Sequence, residues 1–314
     1  MPVRVWPRAP SLKINYRPEI DGLRCLAVIA VVFYHAQITF NENIIFTGGF
    51  IGVDIFFVIS GYLISTIILK ELLETDNFSF RYFYERRVRR ILPALLFIIL
   101  CSLPFAWIFL YPIELENFSK SILYTLGFSS NFYFHFSGLE YGSPESLLKP
   151  FLHTWSLSVE EQYYLIFPII LLGIFRYFRK YLVLLLITTL LVSLFFADWG
   201  SRHYPSSSFY FIHTRIWELL CGSLLAYFEI KIGSRSKEKY LNLILSLIGL
   251  FLIFLSIIYF DDQIFHPSFL TVIPVLGVIL VIWFTNKGDI ITKALSNKIF
   301  DGLGLISYSY YLWQ

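Results

Sequence analysis

Eight stretches of this chain, at 23–40, 50–70, 91–111, 159–178, 181–197, 211–230, 241–260 and 268–285, are apolar over most of their length. Each approaches the roughly 20 residues a helix needs to cross the hydrocarbon core of a bilayer. A ninth begins near Phe300 and runs to Gln314. So many spans leave little material for a water-soluble core. The composition agrees: 57% of residues are hydrophobic and only 15% are charged, where a soluble domain carries about a quarter. The expected fold is therefore all-α, a polytopic transmembrane helix bundle, with residues 1–22 as an inner N-terminal segment and 23–314 as the membrane domain. No tandem repeat, low-complexity linker or separate soluble domain is evident. The first apolar stretch has no small-x-small cleavage site and reads as a retained span rather than a secretory signal.

The segment 121–137 is ambiguous, because Ser129, Ser130, Asn131 and His135 interrupt it. Charge placement decides its reading. If it does not cross, 21 of the 25 basic residues fall on one side, including Arg17, Arg81, Arg86, Arg87, Arg89, Arg90, Arg176, Arg179, Lys180, Lys231 and Lys287. The opposite side keeps only Lys120, Lys149 and Arg202, with Arg215 inside a span. Inner loops rich in Lys and Arg are what topology rules demand. The segment is thus expected to be re-entrant or interfacial, with the N-terminus inside and 112–158 outside. The net charge of +3 is small, and nucleic acid is not an expected partner. Cys25, Cys101 and Cys221 lie in apolar runs without metal-ligand spacing; they read as packing residues, and no metal site is expected.

Ionisable groups within spans cost several kcal/mol, about 2.5–3.5 on insertion scales, and so need a partner or a role. The first span places His35 eleven residues after Arg24, on nearly the same helix face and roughly 16 Å further along. Arg24 is expected at the inner interface and His35 deep in the core. In GGFIGVDIFFVISGYLIS, Asp54, Gly61 and Ser65 share a face; Asp54 either orients an imidazole or caps its own helix. Arg86, Arg87, Arg89 and Arg90 abut the third span, and guanidinium groups suit phosphates, whether of lipid headgroups or of a phosphorylated cofactor. HTWSLSVEEQYYLIFP gathers His153, Trp155, Ser156, Ser158, Glu160 and Glu161 where the fourth span opens. Arg215 and Glu218 are spaced to pair on one face, either as a structural ion pair or lining an internal cavity.

Together these motifs resemble the acyltransferase-3 family of bacterial membrane acyltransferases, which O-acylate surface carbohydrates. The resemblance rests on YRPEIDGLRCLAVIAVVFYHA, GVDIFFVISGYLI, RRVRRILPA, HTWSLSVEEQYYLIFP, RIWELLCGSLLA and LGLISYSYYLWQ, in family order from Tyr16 onward. It implies ten core spans in the bacterial inner membrane and acyl-CoA, usually acetyl-CoA, as cytoplasmic donor substrate rather than a resident cofactor. It also implies an extracytoplasmic carbohydrate hydroxyl as acceptor. Arg24 and His35 would be essential, Arg86, Arg87, Arg89 and Arg90 would serve the donor, and Glu160, with Glu161 adjacent, would be the acidic position. The opening YRPEIDGLR is similar to the subgroup fused to an SGNH-type domain, which these residues do not contain. The chain departs from the family in two ways: Gln314 stands where members usually carry histidine, and the ninth span is cut short with no tenth, so the chain reads as a fragment whose own activity is left open.

The expected mechanism is acyl transfer across the membrane. Arg24 and the arginine cluster hold the donor phosphates, and His35 acts as base or transient acyl acceptor. Glu160 or Asp54 orients it, and Trp155, Ser156, Ser158, Glu161, Arg215 and Glu218 line the site. The alternative is a polytopic transporter or flippase for a glycolipid or polysaccharide, with the buried charges as a proton relay. O-antigen, peptidoglycan, exopolysaccharide and small glycosides all present similar hydroxyls, and any of them suits the acceptor role.

Overall fold

The computed structural model describes residues 16–37, 39–40, 43–44, 46–138, 149–233 and 238–313. Gln314, Arg235 and Lys237 lie outside the described residues, as do Arg4, Arg8 and Lys13.

Nearly all of the described chain is helical, as the apolar runs demand: in lipid only a helix or a closed barrel satisfies every backbone polar group internally. α1 (Pro18–His35) starts where Pro18 presets the backbone and Glu19 and Asp21 occupy the first turn. After a two-residue antiparallel pairing, Thr39–Phe40 with Asn43–Ile44, and a 3-10 turn, α2 (Gly52–Thr75) runs back and ends at Asp76 in the left-handed region. α3 (Phe80–Phe109) is capped by Ser79, whose backbone N–H also donates to Glu71 Oε1 at 2.9 Å, tying the end of α2 to the start of α3. α4 (Pro112–Leu126), α5 (Ser130–Phe136), α6 (Thr154–Tyr177), α7 (Leu182–His203), the short α8 (Pro205–Tyr210), α9 (Ile212–Ile232), α10 (Lys239–Tyr259), α11 (Val272–Phe284), α12 (Ile290–Leu295) and α13 (Lys298–Leu312) follow.

A helix occupies each of the nine apolar stretches. Five are long and apolar enough to cross a membrane: Gly49–Thr75, Phe80–Phe109, Thr154–Tyr177, Arg179–His203 and Lys239–Tyr259. α11 is a shorter apolar helix, and α1 and α9 carry buried charges that lower their hydropathy. The most apolar window of α2 is 83% buried, against 28% in α3 and 22% in the α7 span. α2 is therefore the axis of the bundle, while α3 and α7 turn Leu100, Phe105, Leu191 and Phe195 outward. Such outward apolar surface suits lipid contact.

Alternation of the helix ends is fixed by polar contacts at the two faces. At one face Arg17 Nη2 donates to Ile282 O at 2.6 Å near the end of α11, its Nη1 reaches Glu229 near the end of α9, and Tyr16 bonds Asp301 in α13. At the opposite face the Tyr34 hydroxyl donates to Asp262 Oδ1 at 2.6 Å, and Phe269 N–H reaches Asp198 Oδ1 at 3.2 Å.

The ambiguous segment 121–137 does not cross. α4 and α5 form a helical hairpin in which Tyr124 stacks on Tyr133 and the Tyr133 hydroxyl donates to Asn117 O at 3.1 Å. Its tip is held against α6 by Thr125–Thr154 (3.0 Å) and Ser130–Ser158 (2.8 Å) hydroxyl contacts. Its returning end meets α8 through His135 and Ser206.

The centre is set by α2 against α9. A Cβ on Gly61 would collide with the backbone carbonyl of Leu219, and one on Gly222 with that of Val58. The two backbones approach as small residues allow in membrane helices. Ser223 Oγ bonds Leu219 O and Gly61 O across this contact, at 2.9 and 3.3 Å.

Candidate active site

Four helices and the first turns of α1 enclose a narrow cavity of about 90 Å³ inside the bundle. The i, i+4 spacing of α6 turns Ser156, Glu160 and Tyr164 to one side. α3 contributes Arg87 and Arg90, α2 Phe56 and Ser60, α13 Tyr308 and Tyr311, and α1 Arg24. Glu160 Oε2 accepts from the Tyr164 hydroxyl at 2.7 Å, and Arg87 lies 5.2 Å over the Tyr164 ring. Arg24 Nη1 donates to Asp21 Oδ1 at 3.0 Å. Ser156 Oγ meets the Tyr311 hydroxyl at 2.7 Å, and Tyr308 donates to Ile91 O at 3.2 Å. Three guanidinium groups thus converge on one carboxylate and a wall of hydroxyls, a surface suited to an anion with a polar tail.

Arg24 and Arg90 also line a second, larger cavity of about 800 Å³ at the face where Arg17 and Tyr16 lie, with Lys70, Glu74 and Glu229. Both cavities thus have Arg24 and Arg90 in their walls. Burial, reinforced by the hydrogen bond with Asp301, pushes the Tyr16 phenol above its ordinary range.

The expected donor cluster divides. Arg87 and Arg90, three residues apart, face the cavity. Arg86, Arg89 and Arg90 are all exposed, but Arg86 and Arg89 border neither of these two cavities, and Arg89 is held by Glu85 through two bonds of 2.8 and 3.1 Å. A helix cannot turn four near-consecutive side chains to one side. Arg24 borders both cavities, with Tyr16, Arg17 and Lys70 beside it in the larger one.

Asp54 does not orient His35. Its Oδ1 accepts from Arg215 Nη1 at 2.9 Å and lies 3.5 Å from His266 Nε2. Arg215 Nη1 also donates to Glu218 Oε1 at 3.2 Å. Trp155 belongs to this second cluster, with its ring 5.4 Å from the Arg215 guanidinium and 4.5 Å from Phe209, outside the arginine cavity. Ser158 is likewise outside; it anchors the re-entrant hairpin. Glu161 is beside the cavity, with Oε1 buried and unpaired among the described residues. His266 borders a cavity of about 320 Å³ at the opposite face, shared with Tyr34, Arg202 and Asp262. Burial lowers the His266 imidazole, with Asp54 opposing and Arg215 reinforcing the shift.

His35 is the last residue of α1, its ring 5.1 Å from that of Tyr34. It lies within electrostatic reach of His153, the residue before α6. His153 and Tyr311 were not singled out by spacing alone. The signal available was the polar cluster at the start of α6; that Tyr311 meets it, 155 residues away, is a matter of tertiary packing.

The fold and the site define a polytopic helical membrane protein with a cation-walled internal cavity open toward one face. The chain belongs to the acyltransferase domain family, which it matches over residues 17–314. It is 33% identical over 311 residues to the peptidoglycan O-acetyltransferase OatA of Listeria monocytogenes, covering 96% of this chain and 49% of that protein. It is 30% identical over 317 residues to the O-acetyltransferase OatA of Staphylococcus aureus, covering 96% of this chain and 50% of the relative. The chain therefore spans about half the length of the curated relatives it matches. No solved structure matches.

Proposed function

We propose that this domain is an O-acyltransferase that takes an acyl group, acetyl in the first instance, from acyl-CoA at the Arg17 face and passes it to a carbohydrate hydroxyl at the other. That face is assigned to the cytoplasm by its basic loops. The observation that carries the reading is the pair of cavities that share Arg24 and Arg90 in their walls. The phosphates of the nucleotide meet Arg24, Arg87 and Arg90 there, with bidentate guanidinium bonds fixing their position. The pantetheine arm then threads past Glu160 and the hydroxyls of Ser156, Tyr308 and Tyr311. Glu160, hydrogen-bonded by Tyr164, holds the three guanidinium groups in place before the donor arrives. His35, at the far end of α1, acts on the acceptor hydroxyl as general base. The two relatives are named as O-acetyltransferases, one of them of peptidoglycan, and a peptidoglycan sugar is the acceptor proposed here.

The test is coenzyme A release by the purified chain in proteoliposomes supplied with labelled acetyl-CoA on one side and muropeptides on the other. Base-labile acetate on the muropeptides, lost in Arg24→Ala and His35→Ala, supports the reading. Muropeptides moved across the bilayer without coenzyme A release would replace it with transport.

A further inference from the structure

His153 has chemistry left unassigned above. Its Nε2 is buried and has no hydrogen-bond partner among the described residues, and the backbone of Leu312 adjoins the ring. The neutral tautomer protonated on Nδ1 keeps the lone pair on Nε2. A histidine serving only to pack would be expected to satisfy both nitrogens, since buried polar atoms are rarely left unpaired.

Its position is equally defined. The His153 carbonyl accepts from the Tyr311 hydroxyl at 2.8 Å and from Ser156 Oγ at 3.3 Å. Its ring stands edge-on to that of Tyr311, with centroids 5.5 Å apart. Tyr311 and Ser156 are walls of the arginine cavity. His35 instead adjoins Tyr34, which lines the cavity at the opposite face. His153 thus adjoins two walls of the arginine cavity, and His35 adjoins one wall of the outer cavity. Donor and acceptor arriving from opposite faces suit a transfer in two halves.

We infer that His153 carries the acyl group between the two substrates, with His35 as the base of the second half. This rests on the acyltransferase reading above. In the first half, Nε2 adds to the thioester carbonyl, the C–S bond breaks and coenzyme A leaves as the thiolate, to be protonated by water at the inner face. The product is an N-acyl imidazolium that keeps its proton on Nδ1. In the second half, His35 takes the proton of the acceptor hydroxyl, the oxygen attacks the acyl carbon and the C–N bond breaks. His153 returns to its starting tautomer and the proton on His35 leaves at the outer face. A nucleophile that splits one acyl transfer into two is an established catalytic strategy.

The experiment uses the chain in proteoliposomes mixed with labelled acetyl-CoA and quenched on the millisecond scale. His35→Ala should release about one coenzyme A per protein in a single burst, with little further turnover. Peptide mapping should then find the acetyl group on His153. His35→Ala combined with His153→Gln should abolish the burst while acetyl-CoA still binds. A burst that survives in the double variant, a label on another residue, or no burst in His35→Ala while the unaltered chain turns over, each overturns the inference and leaves the acyltransferase reading intact. Loss of donor binding in the double variant returns the decision to the site of the label in His35→Ala. An unaltered chain that releases no coenzyme A overturns both.

Discussion

Asp54 of α2 and Arg215 of α9 meet at 2.9 Å with side chains 0% and 1% exposed, 161 residues apart in the chain. The pair closes the same helix contact that Gly61 and Gly222 permit. Removing one partner strands the other charge where no water can reach it, which costs about 3–5 kcal/mol. Arg215→Ala and Asp54→Ala should each lower the unfolding midpoint in detergent and the yield in membranes. Unchanged midpoints with lost activity would instead make the pair part of the chemistry.

The division of the arginine cluster gives a sharper expectation. Arg87→Ala and Arg90→Ala should raise KM for acetyl-CoA by roughly 10–150-fold, the value of a charge-assisted hydrogen bond of about 1.5–3 kcal/mol. Arg86→Ala and Arg89→Ala should stay near the parent value, since an exposed pair such as Arg89–Glu85 contributes about 0–1 kcal/mol. Steady-state kinetics on the four variants checks it.

Glu160→Gln keeps the shape of the side chain and removes its charge from beside Arg24, Arg87 and Arg90. Donor affinity and transfer should both fall, by roughly tenfold or more on the scale of hydrogen bonds to charged groups. Tyr164→Phe, which removes only the 2.7 Å bond to Glu160, should have the smaller effect. Isothermal titration with acetyl-CoA together with turnover separates binding from catalysis.

Gly61→Ala puts a methyl group against the Leu219 carbonyl. Overpacking of this kind costs about 1–3 kcal/mol. A lowered thermal midpoint in detergent is the expected outcome, with Gly173→Ala, which meets nothing within 4 Å, as the control.

His266 adds a pH term. Burial holds its folded value below the ordinary 6.5, so the unfolded chain binds the proton more readily. The contribution of neutral His266 is complete above about 6.5 and is lost as the pH falls toward and through the folded value. The unfolding midpoint should drop on acidification below that point, and His266→Gln should flatten the slope.

Much of the fold was legible in the residues. Apolar length located a helix at every expected stretch, and basic loops predicted that 121–137 would return to the face it left, as the α4–α5 hairpin does. Both inferences rest on transfer energies of single side chains, which act locally and need no knowledge of neighbours. Boundaries were less legible at α1, where Glu19 and Asp21 fell before the expected start at residue 23. Ion pairs made inside the bundle admit them to the helix.

By itself the sequence determined that this chain is a helical bundle for a membrane, which residues of each helix are too polar for lipid, and that Arg24, Glu160 and the arginine cluster deserved to be considered together. Only the tertiary structure decided which polar residues meet. It sent Asp54 to Arg215 rather than to His35, set Arg87 and Arg90 on the cavity wall and left Arg86 and Arg89 off it, and brought Tyr311 against Ser156 and His153. The reason is physical. Spacing along one helix sets the direction of a side chain about its own axis, whereas a site made between helices depends on how those axes are packed, and small residues such as Gly61 and Gly222 set that packing.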